Sequence, residues 1–246
     1  MRVLMSGGGT AGHIYPALTV AARLVADGHD VAFVGTPDGL EARLVPDAGI
    51  RFIGVRAAGF DRGNPLTLLT SSVRILSSAL RAIRLIREQR PDVVLGFGGY
   101  VSLPVGLAAA WRRVPLVLHE QNSVPGLANR ILSRWARAVG ITYEEALRHL
   151  RHPERAVLTG NPVREAVLAA DRDRGRRAFD LDPEAVVLLV FDGSRGARHI
   201  NDTFVGLAAE LMRIPSLAVV HSAGRIESES VASRVAESLG GDVSRY

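Results

Sequence analysis

The sequence predicts an α/β protein made of two Rossmann-like domains with parallel sheets. Three observations lead to this fold class. Short, continuous apolar runs alternate with helical segments, which is the pattern of parallel strands that helices cover on both faces. Glycine loops join an apolar run to a helix at three places, over residues 7–12, 96–102 and 192–198. Because the third loop repeats the design of the first, a second domain is expected to begin before it.

The first strand–loop–helix unit sets this pattern. Residues 1–5 predict a strand, residues 6–13 contain four glycines, and an apolar-periodic run from Pro16 to residue 26 predicts a helix. Glycine permits positive φ and close approach to a ligand, and the free N–H groups at a helix start attract an anion. The loop therefore predicts a phosphate or diphosphate site, although it matches neither the P-loop nor the G-x-G-x-x-G pattern. The alternative is a tight strand-to-helix turn.

The later elements continue the alternation. Strands are predicted over residues 31–35, 51–55, 91–95, 115–119, 138–142 and 156–158, helices over 38–48, 66–89, 103–111 and 143–150, and a glycine-rich loop over 57–65. Turn residues over 159–164 suggest a hinge, so the boundary is placed near Gly160, between domains 1–160 and 161–246. The second domain is predicted to have a charged helical segment over 164–179, strands over 185–191 and 217–221, and helices over 200–212 and 226–239.

The long helix predicted over residues 66–89 has two interpretations. Two apolar stripes run along it, and arginines lie on the other side. The first stripe is Leu69, Val73, Leu76, Leu80 and Ile83, the second is Ile75, Ala79, Ala82 and Ile86, and the arginines are Arg74, Arg81 and Arg84. Such a helix is either buried in the core with solvated arginines or lies on an anionic membrane.

Polar and glycine-rich loops are predicted to face one crevice. The carboxyl ends of parallel strands meet at one edge of an open α/β sheet, where such sheets bind ligands. Residues 96–102 follow one strand and the polar residues 120–130 follow the next, either as ligand contacts or as loop caps. His13 is the candidate base, since imidazole accepts a proton near neutral pH, and a loop-ordering role is its alternative. Two such domains suggest a cleft for two phosphate-bearing molecules.

Composition narrows the function classes. The chain has 246 residues, no cysteine, and a net charge of +5. It contains 30 basic and 25 acidic residues, and every basic residue is an arginine. Arginine suits phosphate and carboxylate partners, whereas 5% aromatic residues without a basic stripe argue against nucleic acid. Disulfides and thiolate metal sites are excluded, and no histidine or aspartate spacing indicates a metal. Neither a signal peptide nor a membrane-spanning segment is predicted.

Five motifs together resemble those of one family. Residues 7–16, 96–104, 119–130, 160–164 and 193–197 occur in the order and approximate spacing of the MurG family of inverting GT-B glycosyltransferases. The resemblance implies a GT-B fold and transfer of N-acetylglucosamine from UDP-N-acetylglucosamine to undecaprenyl-diphospho-N-acetylmuramyl-pentapeptide in peptidoglycan synthesis. It implies no cofactor. It also implies a peripheral position at the cytoplasmic face of the cell membrane, with the helix over 66–89 near anionic lipid.

The same resemblance implies roles for individual residues. His13 matches the base that accepts the proton of the sugar hydroxyl. The positions for UDP-N-acetylglucosamine are Thr10, Ala11, Gly12, Asn122, Asn129, Arg164 and Ser194, and the residues that face the acceptor diphosphate are Gly9, Gly98, Gly99 and Tyr100. The first domain would take the acceptor at the membrane, and the second would take the donor.

The chain departs from the family's pattern at three points. Ala11 replaces a common glycine, and Phe191 and Asp192 precede Gly193 where the family usually has two glycines, so a carboxylate lies beside a loop for diphosphate. The chain also ends before the segments that hold uridine and the donor sugar, so the second domain is expected to be incomplete and the chain weakly active or inactive. Two alternatives stay open: a catalytically deficient module that binds the lipid intermediate, and another GT-B glycosyltransferase with a lipid acceptor.

Overall fold

The computed structural model describes residues 1–55, 68–193 and 196–246, and the side chains of these ranges except residues 68–77. The described chain divides into two compact units, Met1–Leu168 and Ala169–Tyr246. The boundary predicted near Gly160 lies between the last strand of the first unit and the end of that unit. The glycine-rich loop predicted over residues 57–65 lies outside the described residues.

The first unit is built on a seven-stranded parallel sheet. Its strands are β1 Arg2–Ser6, β2 Asp30–Gly35, β3 Arg51–Gly54, β4 Val93–Gly96, β5 Leu116–Glu120, β6 Ala138–Ile141 and β7 Ala156–Leu158. They are ordered β3-β2-β1-β4-β5-β6-β7, and each neighbouring pair is parallel. The predicted parallel sheet is confirmed. The order reverses between β1 and β4, and such a switch point forms the ligand crevice of an open α/β sheet.

Helices cover both faces of this sheet. They are α1 Ala11–Ala26, α2 Glu41–Asp47, α3 Leu68–Gln89, α4 Ser102–Trp111, α5 Leu127–Leu132 and α6 Glu165–Leu168, with 3-10 helices at Glu144–His149 and Pro153–Arg155. Alternate residues of β1 enter two different cores: Leu4 packs with residues of α3 and α4, and Met5 packs with residues of α1 and α2. The two cores form because successive side chains of a strand point to opposite faces.

The first helix begins earlier than its apolar pattern predicts. α1 starts at Ala11, and Pro16 lies inside it. A proline this close to a helix start removes only one backbone hydrogen bond, so the helix continues through it. Consequently His13 belongs to the first turn of α1 rather than to the loop before it.

The apolar stripes of α3 are only partly buried. Ala82 and Ile86 are buried, as expected for the second stripe, whereas Leu80 of the first stripe is 60% exposed. The prediction of a core position for Leu80 is therefore wrong. Helical periodicity places residues on one face of a helix but does not determine whether another element covers that face. The side chains of the stripe residues before 78, and of Arg74, lie outside the described residues.

The second unit combines two parallel strands with helices. Its elements are α7 Arg172–Ala178, β8 Val186–Phe191, α8 Arg198–Leu211, β9 Leu217–Ser222 and α9 Ser228–Ser238. The charged segment predicted over 164–179 forms two short helices, because Asp171 caps the start of α7 by accepting a hydrogen bond from the Arg174 N–H at 2.8 Å. On β8, the side chains of Val186, Leu189 and Phe191 are more than half exposed.

Candidate active site

The first and second glycine loops touch at the carboxyl edge of the sheet. They follow β1 and β4, the two strands that flank the switch point. A Cβ atom on Gly99 would lie 2.5 Å from the carbonyl oxygen of Gly8, and Gly99 has a φ of 83°. Only glycine fits there, since both the space and the backbone conformation exclude a side chain. The buried Ser102 hydroxyl, 2.7 Å from the Gly98 oxygen and 3.0 Å from the Ser6 oxygen, ties the second loop to β1.

His13 lies where these two loops meet. Its Nδ1 is 3.2 Å from the carbonyl oxygen of Gly8 and 3.1 Å from the hydroxyl of Thr10. A carbonyl oxygen only accepts hydrogen bonds, so this contact favours the tautomer with the hydrogen on Nδ1, which leaves a lone pair on Nε2 in the neutral ring. A Cβ atom on Gly98 would lie 3.2 Å from Nε2. The imidazole therefore presents a proton acceptor towards the second glycine loop.

A buried carboxylate, Glu120, organises the polar loop after β5. Glu120 is 1% exposed. It accepts hydrogen bonds of 2.9–3.1 Å from the backbone N–H groups of Asn122 and Gly126 and from the side-chain amides of Asn122 and Asn129. Four donors satisfy a charge that would otherwise be costly to bury. Sequence patterns assign no individual role to Glu120, because an acid at a strand end resembles any loop residue until its donors are known.

Asn129 connects this polar loop with the glycine loops. Its buried side-chain Nδ2 donates to the His119 carbonyl at 3.0 Å and to Glu120 at 2.9 Å, and lies 3.6 Å from the position of a Cβ atom on Gly98. Gly98 therefore has His13 on one side and Asn129 on the other. The Oδ1 atom of Asn129 has no hydrogen-bond partner among the described residues. A buried acceptor of this kind suits a hydroxyl or N–H donor of a ligand.

His119 has a structural environment rather than that of a base. Its Nε2 donates to the Gly160 carbonyl at 3.0 Å, and its Nδ1 accepts from the Gln121 amide at 3.0 Å. Burial lowers the pKa of His119, and the hydrogen bond to Gly160 and the charge of Glu120 offset this only in part. The neutral ring thus joins the segment after β7 to the loop after β5, with both nitrogens occupied.

Arg164 is held against the helix that carries His13. Its guanidinium carbon lies 4.2 Å from the centre of the Tyr15 ring, a cation–π geometry. Tyr15 is two residues after His13 in α1. One of the residues predicted for the nucleotide sugar is therefore held against α1 by an aromatic contact that the sequence did not indicate.

The remaining predicted residues lie along the same loops. Thr10 is the N-cap of α1 and is followed by Ala11 and Gly12 in its first turn. Gly9 is exposed with a φ of 84°, and Tyr100 is 58% exposed. The residues that the contacts above bring together are Thr10, His13, Gly98, Gly99 and Asn129, with Asn122 joined to them through Glu120. Ser194 lies outside the described residues.

A second carboxylate at this edge, Glu41, also received no role from the sequence. It is the first residue of α2 and is fully buried. It accepts hydrogen bonds from the Thr36 N–H at 2.9 Å and the Thr36 hydroxyl at 2.6 Å, and the Gly9 N–H lies 3.4 Å away. Local sequence patterns could not predict that Glu41 lies beside the first glycine loop, because 32 residues separate Glu41 from Gly9 in the chain.

The described parts of the chain contain no group of three or more histidine, cysteine, aspartate or glutamate residues that could hold a metal ion. Over the same residues, every helix is too short or too polar to cross a membrane.

A parallel sheet whose glycine loops meet at the switch point, followed by a second α/β unit, is the architecture of a GT-B-type protein. Residues 3–141 match the glycosyltransferase family 28 N-terminal domain. The chain belongs to this glycosyltransferase family.

Named relatives agree with this assignment. The UDP-N-acetylglucosamine–N-acetylmuramyl-(pentapeptide) pyrophosphoryl-undecaprenol N-acetylglucosamine transferase of Halothermothrix orenii is 38% identical over all of this chain and 67% of its own length. That of Desulforudis audaxviator is 42% identical over 91% of this chain and 61% of its own. The crystal structure of Acinetobacter baumannii MurG superposes with a TM-score of 0.69 and 30% identity, covering 96% of this chain and 62% of that one. The chain thus spans about two thirds or less of these relatives.

Proposed function

We propose that the protein transfers N-acetylglucosamine from UDP-N-acetylglucosamine to undecaprenyl-diphospho-N-acetylmuramyl-pentapeptide, the reaction in its relatives' names. One observation carries the proposal: the Nε2 lone pair of His13 beside Gly98, where two glycine loops meet. Transfer of a sugar to a hydroxyl needs a proton acceptor at that hydroxyl. Glycine loops beside it suit substrates that both carry diphosphate.

In the proposed reaction, His13 Nε2 takes the proton of the acceptor hydroxyl while the hydroxyl oxygen attacks the anomeric carbon of N-acetylglucosamine. The bond from that carbon to the diphosphate of UDP breaks on the opposite face, so the configuration inverts and UDP leaves with the electron pair. The Arg164 guanidinium would offset the negative charge that grows on the leaving diphosphate.

The binding roles follow the loops. For the nucleotide sugar we propose Thr10, Ala11, Gly12, Asn122, Asn129, Arg164 and Ser194. For the acceptor diphosphate we propose Gly98, Gly99 and Tyr100, while the fourth predicted residue, Gly9, is treated in the next subsection. Residues 1–160 would serve the acceptor at the membrane and contribute part of the nucleotide-sugar contacts, and residues 161–246 would serve the donor. Support for this division comes from the position of His13 and Gly98 in the first unit and of a separate glycine loop in the second.

An exposed apolar surface supports a peripheral position at the cytoplasmic face of the membrane. Trp111 is 77% exposed, Leu80 60% and Trp135 45%, and together they line a cavity of about 480 Å³ with residues of α3 and α4. The Arg134 guanidinium lies over the Trp135 ring at 5.9 Å. Apolar side chains with an arginine beside them suit the interface of an anionic bilayer.

Transfer of labelled N-acetylglucosamine to a soluble analogue of the lipid acceptor tests the proposed activity. In a version extended to the full length of its relatives, we expect His13→Ala to lower kcat by about 100-fold or more with a smaller change in KM, because a general base acts mainly in the transition state. His29→Ala is the matched control, since His29 lies just before β2 at the opposite edge of the sheet. Unchanged turnover in His13→Ala would refute the role of this residue as the base.

A binding module without transfer activity is the second candidate. The carboxylate of Asp192 accepts a hydrogen bond from the Gly193 N–H at the start of the third glycine loop. It thus places a negative charge where a donor diphosphate would lie. Binding of the acceptor analogue without transfer would favour this module. Transfer to a different lipid acceptor in a panel would instead favour another GT-B glycosyltransferase.

A further inference from the structure

The buried carboxylate of Glu41 occupies an unusual position for a loop that is predicted to bind phosphate. The groups that meet its two oxygens are all donors: the N–H and hydroxyl of Thr36 on Oε1 and the more distant N–H of Gly9 on Oε2. A fully buried carboxylate needs such donors to offset its lost hydration. The first glycine loop therefore already has an anion at its backbone, supplied by the chain itself.

Three glycines make the space for this carboxylate. A Cβ atom on Gly8 or Gly39 would collide with the carboxyl group of Glu41, and one on Gly35 would collide with its Cγ. Gly8 lies in the loop after β1, Gly35 is the last residue of β2, and Gly39 lies in the loop that follows β2. A side chain on any of the three would displace Glu41. Glycine at these positions therefore makes room for an acid of the chain itself rather than for a bound ligand.

The contact between Glu41 and Gly8 also bears on His13, because Gly8 is a neighbour of both side chains. Gly8 is packed between the Glu41 carboxyl group on one side and Gly99 on the other, and its carbonyl oxygen faces His13 Nδ1 at 3.2 Å. Holding Gly8 in place keeps the hydrogen on Nδ1 and the lone pair on Nε2. The second loop has different neighbours, because the groups closest to Gly98 are the His13 ring and the Asn129 amide, neither of which is negative in the neutral state of the ring.

We propose that Glu41 is a positioning residue that acts as the internal anion of the first glycine loop. It takes the place of a phosphate at Gly9, directs the acceptor diphosphate to the second loop at Gly98 and Gly99, and fixes the tautomer of His13 through the Gly8 carbonyl. The proposal rests on the proposed function for the identity of the diphosphate ligand, whereas the anion preference of the two loops and the tautomer of His13 can be measured without any transfer reaction.

Amide NMR of the whole chain with inorganic pyrophosphate as the probe tests the anion preference. In the wild type we expect the amide signals of Gly98 and Gly99 to shift on titration and that of Gly9 to stay unchanged. In Glu41→Gln the negative charge is lost, so the Gly9 amide should respond and pyrophosphate should bind there about tenfold more tightly. Thr36→Val is the matched control, because it removes one donor to the carboxylate and keeps the charge, and its Gly9 signal should remain unchanged.

Imidazole ¹⁵N shifts provide the second measurement. His13 should show the Nδ1–H tautomer in the wild type and in Thr36→Val, and a mixture of tautomers in Glu41→Gln. A wild-type Gly9 amide that shifts together with Gly98, a second loop that does not respond, or an Nε2–H tautomer would each overturn the proposal, even if Glu41→Gln fails to fold. Absence of sugar transfer by a version extended to the length of its relatives, together with the expected NMR results, would refute the proposed function and leave the role of Glu41 intact.

Discussion

The glycine loop after β1 and the one after β8 both join a parallel strand to a helix, but different groups lie against them. The carboxyl group of Glu41 packs directly on the backbone of Gly8. In the second unit, a side chain on Gly196 would meet the Ala223 carbonyl instead, and the carboxylate at the loop is that of the exposed Asp192, which accepts a hydrogen bond from the adjacent Gly193 N–H. A further acid, Glu227, is bonded by the side chains of Asn201 at 2.8 Å and Arg198 at 3.0 Å. The same motif thus has a buried carboxylate from another element against its backbone in one unit and an exposed carboxylate of the loop itself in the other.

The largest effect is expected from filling the space at Gly8. Gly8→Ala places a methyl group in the carboxyl group of Glu41, and such overpacking costs about 3 kcal/mol. Urea unfolding followed by tryptophan fluorescence measures this, since both tryptophans lie in the first unit. Gly193→Ala is the matched change in the third loop, where a Cβ atom meets nothing within 4 Å, and far-UV circular dichroism should show a change below about 0.5 kcal/mol. Equal losses in the two variants would remove the distinction between the loops.

The next largest effect is expected at Glu120 and Glu227, two acids that accept hydrogen bonds from side chains. Glu120→Gln should destabilise the first unit by about 2 kcal/mol, because one amide nitrogen would then face two donors that are now satisfied. Glu227→Gln should cause a smaller fall in the midpoint of thermal unfolding, since its Arg198 partner is exposed. Thermal unfolding of both variants checks the order, and a larger loss in Glu227→Gln would contradict it.

Sequence patterns predicted the parts of the fold that depend on local order. The strands around the switch point follow from continuous apolar runs, and the glycine loops and His13 stand next to them in the chain. Glu41 could not be predicted in the same way, because an acid in the first turn of a helix is ordinary. Its importance comes from Gly8 and Gly9, which only the folded sheet brings to it.

The exposure of Leu80 shows a second limit of sequence patterns. Periodicity assigned Leu80 to the same face as Ile83, and the helix that it predicted is present. Leu80 and Trp111 are exposed, however. A pattern of apolar residues does not reveal whether another element covers the face on which they lie. The helix therefore combines features of both interpretations, since Ala82 and Ile86 are buried and Leu80 is exposed.

A further prediction compares apolar residues that are exposed in the two units. Trp111→Ala should weaken binding to vesicles containing anionic lipid by about tenfold, because an indole contributes about 1–2 kcal/mol at an interface. Ile226→Ala is the control, since Ile226 is 70% exposed in the second unit and lines none of the apolar cavity around Trp111. Vesicle sedimentation at fixed ionic strength measures both variants. Loss of binding in Ile226→Ala alone would show that the second unit, rather than the first, contacts the membrane.

The smallest expected effect is the pH dependence that His119 adds to the stability of the first unit. Burial lowers the pKa of His119, so the unfolded chain binds a proton at a higher pH than the folded one. The contribution of His119 is therefore fully present above the pKa of an ordinary histidine and is lost as the pH falls through that value towards the folded pKa. Burial also lowers the pKa of His221 in the second unit, which makes the two histidines a matched pair.

Urea unfolding between about pH 8 and pH 5, a range that brackets the ordinary histidine pKa of about 6.5, separates the contributions of His119 and His221. His119→Gln should flatten the pH dependence seen by tryptophan fluorescence in the first unit, because glutamine can still donate to the Gly160 carbonyl but does not titrate. His221→Gln should leave that fluorescence curve unchanged, since both tryptophans lie in the other unit. A wild-type first unit that becomes more stable as the pH falls over this range would show that His119 gains a proton on folding, and its role as a neutral link between Gly160 and Gln121 would then be wrong.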